Sequence, residues 1–142
     1  MNEFELIRQY FTRQPVARSD VVVPIGDDGA VLDVPADQQL VVSTDTLNAG
    51  VHFPADADAA AIGHKSLAVN LSDLAAMGAA PAWFTLNLSL PHIDPPWLDA
   101  FCQGLFALAQ EHRVQLVGGD TTRGPLSIRI AIDGFGPRGE AR

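Results

Sequence analysis

Aspartates from four separate segments of this 142-residue chain stand where chemistry could use them. Asp27 and Asp28 sit in the glycine-flanked turn Gly26-Asp27-Asp28-Gly29. Asp45 follows a hydrophobic run in Ser43-Thr44-Asp45-Thr46, and Asp120 follows another in Gly118-Gly119-Asp120. Asp73 lies inside an apolar helical pattern, Asn70-Leu71-Ser72-Asp73-Leu74. Three of these segments read as strand ends, from which a carboxylate can be aimed into a cleft. The fourth reads as a charge in a buried helix, where an unpaired carboxylate would cost several kcal/mol and calls for a cation or hydrogen bonds. Mg²⁺ bound to phosphate supplies that match, since it prefers hard oxygen ligands and takes one or two carboxylates together with water and phosphate oxygens.

Each position also has a purely structural reading. Asp27 and Asp28 suit a turn, Asp45 suits the N-cap of a turn, and Asp120 suits a tight turn after two glycines. Asp73 is the hardest to explain locally, because aspartate is unfavourable in a helix interior. Gly118 and Gly119 allow close backbone approach to a phosphate, with Thr121 and Thr122 offering hydroxyls. No Gly-x4-Gly-Lys-Ser/Thr loop, dinucleotide-binding glycine fingerprint or protein-kinase signature is present. A nucleotide would be held by another scaffold. His52, His64, His92 and His112 have no metal-ligand spacing. His52 stands out in Gly50-Val51-His52-Phe53, just after the Asp45 segment, and Lys65 reads as a surface lysine covering its helix.

The elements that position these residues follow from periodicity. Residues 3–12 are predicted as a short amphipathic helix, 13–20 as a mobile polar loop, and Val21–Val23 as a strand. Ala30–Val34 and Leu40–Ser43 are predicted to form a hairpin. Residues 59–78 read as a long buried helix. Trp83 to Leu90 alternates as a half-buried strand. Asp94 before two prolines caps a helix running to about Arg113. Val114–Val117 and Leu126–Asp133 complete the set. The order α-β-β-β-α-β-α-β-β predicts an α+β domain, a mixed β-sheet with helices packed on one face. The end of the chain, a loop-like tail after a strand, reads as a junction to more protein.

A hydrophobic fraction of 47% against 18% charged residues fits a globular domain with its own core. With 9 basic and 17 acidic residues the net charge is −8, which argues against a nucleic-acid partner. One cysteine, Cys102, leaves no intramolecular disulfide. The first residues lack a signal-peptide pattern, and no apolar run spans a membrane, so a cytoplasmic protein without membrane association is expected.

The motifs Ile25-Gly26-Asp27-Asp28, Ser43-Thr44-Asp45-Thr46-Leu47, Gly50-Val51-His52-Phe53, Ala68 to Ala79 and Gly118-Gly119-Asp120-Thr121-Thr122-Arg123-Gly124-Pro125 resemble the thiamine-monophosphate kinase family. The likeness runs from about Phe4 to Gly136. The Asn-Leu-Ser-Asp helix and the Gly-Asp-Asp turn are shared with the wider superfamily of aminoimidazole-ribonucleotide synthetase and selenophosphate synthetase, whose amino-terminal domain would be residues 1–142 here. The resemblance implies ATP-dependent phosphorylation of thiamine phosphate to thiamine diphosphate with several Mg²⁺ ions. It implies Asp28, Ser43, Thr44, Asp45, Asp73 and Asp120 as metal ligands, Gly119 and Asp120 at the ATP phosphates, and His52 at thiamine phosphate. It implies a homodimer joined through the sheet, with strands 126–132 and 83–90 as interface candidates. It also implies a second domain beyond residue 142, without which this piece would turn over little substrate. The alternatives are a sister ATP-using synthetase and a non-catalytic dimerisation module. Gly29 departs from the family's usual Ala or Cys.

Overall fold

The computed structural model describes residues 2–26 and 29–138. Helix α1 (Glu3–Leu6) runs into a π-helical turn (Ile7–Phe11), so the predicted first helix is present but widens after one turn. Strands β1 (Val21–Val23) and β2 (Val31–Leu32) follow, then β3 (Gln38–Asn48), α2 (Ala59–Ala76), β4 (Ala80–Leu90), α3 (Pro95–His112), β5 (Gln115–Arg123) and β6 (Ser127–Pro137). The predicted element order is the observed one. The predicted hairpin is not. β1 pairs antiparallel with β2, and β3 pairs with β6 from the other end of the chain. A run of 11 residues offers β3 more pairing to a long strand than to a two-residue neighbour.

The main sheet has the order β3-β6-β4-β5, with β4 and β5 parallel and the other pairs antiparallel. Its register sorts residues into two faces. Ile128, Ile130 and Ile132 of β6 lie beside Leu88, Leu86 and Phe84 of β4, and all six are buried in the core under α2 and α3. The helices cross closely because both are glycine at the contact. A Cβ on Gly104 would collide with the Ala60 carbonyl oxygen, and one on Gly63 with that of Phe101. Asp94 caps α3 as predicted, its carboxylate accepting the Trp97 N–H at 3.4 Å.

On the opposite face Trp83 is 1% exposed, covered by Val21, Ala30 and Leu32 of the β1–β2 hairpin and by Phe135, whose ring meets it edge-on at 5.0 Å. The segment predicted as a mobile loop is tied down instead. The Gln14 side-chain amide donates to the Leu116 carbonyl at 2.7 Å and accepts the Leu116 N–H at 2.6 Å, pairing with the start of the β5 edge as a strand would. Arg18 donates to Asp20, and Asp20 accepts the Trp83 indole N–H at 3.0 Å. The polarity that suggested a loop serves these fixed bonds.

Asp20 carries a testable consequence. The Arg18 hydrogen bond holds its carboxyl below the usual carboxylate range, against the opposing effect of burial. A depressed folded value contributes stability above the unfolded value, about 3.9, and that contribution disappears as pH falls through the folded value. Asp20→Asn is therefore expected to lower Tm at pH 7, with the gap to wild type closing below about pH 4, read by thermal denaturation across pH. At the helix crossing, Gly104→Ala is expected to destabilise the fold by about 2–3 kcal/mol in denaturant unfolding, as an overpacked contact. The exposed neighbour change Gln103→Ala should stay within about 0.5 kcal/mol.

Candidate functional site

The first cluster lies where β3 runs beneath α2. Ser43 and Asp45 are opposite Ile132 and Ile130 of β6, so they point to the helix side of the sheet. Asp45 is inside β3, not at the end of a strand. Asp73 of α2 reaches the same place, where its carboxylate accepts from the Ser43 hydroxyl at 3.5 Å. Its predicted burial is wrong. Asp73 is exposed, and the buried polar groups of this helix are Ser66 and Asn70. The apolar stripe that buries α2 passes through Ile62, Leu67 and Leu74, and Asp73 falls outside it. The amide of Asn70 donates to the Ser66 carbonyl, while its buried Oδ1 has no partner among the described residues. The neighbouring Asp73 carboxyl, through a shared hydrogen bond, pushes the Asp45 carboxyl above its ordinary range; burial adds to this, and His52 opposes it. A carboxyl that resists ionising beside a second carboxyl marks a place where a cation lowers the free energy.

His52 borders this cluster in a closed turn. Its Nδ1 accepts the Asn48 N–H at 2.9 Å, and its own N–H donates to the Asn48 carbonyl. Ser127 Oγ donates to Asn48 Oδ1 at 2.7 Å, tying the turn to β6.

The second cluster surrounds β5. A cavity of about 540 Å³ is lined by Gly118, Gly119 and Asp120, by Gly26 and Gly29 of the hairpin turn, and by Arg8, Thr12 and Asp133. The strand does not stop before the glycines, as the sequence suggested, but runs through them to Arg123. Gly119 has φ +131°, and a Cβ there would collide with the Leu86 carbonyl oxygen, so only glycine fits this approach of β5 to β4. The Asp120 N–H donates to Asn87 Oδ1 at 3.2 Å. Asp27 and Asp28, including the metal ligand implied at Asp28, lie outside the described residues. Asp133, at the end of the strand expected over Leu126–Asp133, also lines the cavity. Burial against the covered end of the sheet raises its carboxyl pKa, and no sequence pattern signals that cover.

The two clusters stay apart within one chain. Asp45, Ile130, Leu86 and Gly119 form one row across all four strands. Three strand spacings therefore separate β3 from β5, roughly 14 Å. The faces differ as well. Thr46, Arg129, Asn87 and Asp120 form a row on the open face, and Thr44 lies on that face too. Ser43 and Asp45 lie on the helix face. Among the described residues no three His, Cys, Asp or Glu side chains converge to hold a metal unaided. The donors of the first cluster, two carboxylates and a hydroxyl, nevertheless fit Mg²⁺, which completes its shell with water and phosphate oxygens. Among the described residues no helix is long and apolar enough to cross a membrane.

Comparison with known proteins agrees with this fold. The family model for AIR synthase related protein, N-terminal domain, matches residues 26–136. The thiamine-monophosphate kinase of Salmonella typhimurium is 58% identical over 139 residues, covering 98% of this chain and 43% of the relative. The crystal structure of thiamine-monophosphate kinase from Stenotrophomonas maltophilia superposes with a TM-score of 0.83 at 54% identity, covering 96% of this chain and 42% of that one. AaThiL complexed with AMPPCP and TMP superposes with a TM-score of 0.70 at 31% identity, covering 80% of this chain and 37% of that one. The chain thus spans less than half the length of the relatives it matches. With its sheet, its helices and residues 26–136 all in agreement, it belongs to the AIR synthase related protein family and carries that family's N-terminal domain.

Proposed function

We propose that this chain is the nucleotide- and metal-binding part, residues 1–142, of an enzyme that phosphorylates thiamine phosphate to thiamine diphosphate with ATP. A second domain completes its active site. The observation that carries the reading is the pairing of Asp45 with Asp73 beside His52, in a chain 58% identical to a thiamine-monophosphate kinase. The complex of AaThiL with AMPPCP and TMP, taken as an ATP analogue and thiamine monophosphate, supports the same two substrates.

In the proposed reaction a phosphate oxygen of thiamine phosphate attacks the γ-phosphorus of ATP in line. The bond from that phosphorus to the β,γ-bridging oxygen breaks, and ADP leaves. The nucleophile is already anionic, so no side chain need act as a base; the protein's work is positioning and charge neutralisation. Asp28, Ser43, Thr44, Asp45, Asp73 and Asp120 are the proposed ligands of Mg²⁺, which when bound offsets the phosphate charges. Gly119 and Asp120 line the ATP phosphates, and His52 meets the phosphate of the acceptor. A cytoplasmic setting follows from these substrates.

The separation of the clusters supports a homodimer. β6 and β4 are paired on both edges, so the interface candidates named from sequence offer only their faces. β3 is an edge strand with Leu40 46% and Val42 60% exposed, the kind of edge that a partner covers. Setting β3 of one copy beside β5 of another would bring Asp45 and Asp73 to Gly119 and Asp120 across a two-fold axis.

In the full-length protein, Asp73→Asn and Asp120→Asn are each expected to lower kcat/KM by about a hundredfold with Tm little changed, in a coupled assay of ADP release with thiamine phosphate. Full activity in Asp73→Asn would sink the metal role. ADP release that requires an aminoimidazole precursor or selenide instead of thiamine phosphate would make the protein a sister synthetase.

A further inference from the structure

Lys65 lies on the exposed side of α2, where a lysine usually trails its stem over the surface with its ammonium in water. Here the ammonium donates to the backbone carbonyl oxygen of His52 at 2.6 Å. The turn it grips is closed from within. The Val51 and His52 N–H groups both donate to the Asn48 carbonyl, and the Gly50 N–H donates to the Phe53 carbonyl at 2.7 Å. The turn is anchored from outside by Ser127 on Asn48 Oδ1 and by the Ala49 N–H on the Leu126 carbonyl. Within it, His52 Nδ1 accepts the Asn48 N–H. A ring nitrogen that accepts carries no proton, so the neutral imidazole has its proton on Nε2. Backbone and ring of His52 are thus held by different partners, and Lys65 joins the turn to α2, the helix that carries Asp73.

We propose that Lys65 is a positioning residue, which by holding the His52 carbonyl keeps the imidazole in its Nε2–H form, ready to donate to the phosphate of the acceptor substrate. This rests on the reading of His52 as a contact to thiamine phosphate. The lysine acts through the turn and does not itself touch the reacting atoms. An arginine at this position retains N–H donors that can reach the carbonyl, whereas methionine keeps a stem of similar length and has no donor.

The test combines a spectroscopic and a kinetic readout on wild type, Lys65→Met and Lys65→Arg. In ¹⁵N-labelled histidine spectra above pH 8, wild type should show His52 protonated at Nε2 alone. Lys65→Met should show its two ring nitrogens drawn together by tautomer exchange, and Lys65→Arg should restore the wild-type pattern. In the kinase assay of the full-length protein, Lys65→Met should raise KM for thiamine phosphate by about tenfold, the worth of one hydrogen bond, with kcat and KM for ATP within twofold and with rescue by Lys65→Arg. An unchanged ring signature in Lys65→Met overturns the positioning role, whatever the kinetics. A changed signature with unchanged KM for thiamine phosphate upholds the positioning of the ring and overturns its contact with that substrate.

Discussion

Strand β6 is hydrogen-bonded on both edges, to β3 on one side and β4 on the other, and the rest of the molecule is arranged around that pairing. Its three isoleucines fill the core beneath α2 and α3, so its register decides which residues of β3 and β4 turn inward. Ser43 and Asp45 are drawn to the helix face because they stand opposite Ile132 and Ile130. Asp120 is drawn to the open face because its row passes through Arg129 and Asn87. A shift of one residue would exchange the two faces and remove Asp45 from Asp73.

The closeness of elements elsewhere protects this register. Glycines at 63 and 104 let the helices cross with their backbones nearly touching, and farther along α2 Asp73 meets Ser43 of β3. On the other side of the sheet, Trp83 is sealed by the β1–β2 hairpin, and its indole N–H is satisfied by Asp20. That hairpin brings Gly26 and Gly29 to the cavity beside Gly118 and Gly119. The core and the candidate site are therefore two consequences of one pattern of packing.

Much of this was legible in the sequence. Alternation in Trp83 to Leu90 gave the correct faces of β4, and Asp94 with its prolines gave the start of α3. Local patterns failed where a distant partner decides. Nothing near Gln38 reveals that β3 pairs with residues almost a hundred positions away. Nothing near Gln14 reveals that its amide extends the edge of β5. Asp73 was misplaced for a subtler reason. Its neighbours are apolar, but a helix buries one stripe, and alanines at 75 and 76 lie on the exposed side without penalty. The aspartates, glycines and histidine of the site were visible as residue types; their division into two clusters required the strand order.

The claim that those clusters meet only across two copies is tested most directly by mixing inactive variants. Full-length Asp73→Asn and Asp120→Asn proteins, each about a hundredfold less active alone, are unfolded together, refolded at equal concentration and assayed for kinase activity. If each site takes Asp73 from one copy and Asp120 from its partner, every mixed dimer holds one intact site. Activity should then return to about a quarter of wild type, given random pairing in a two-fold dimer. If both aspartates serve a site within one copy, every site in the mixture carries a lesion. Activity that stays at the level of the separate variants would contradict the account.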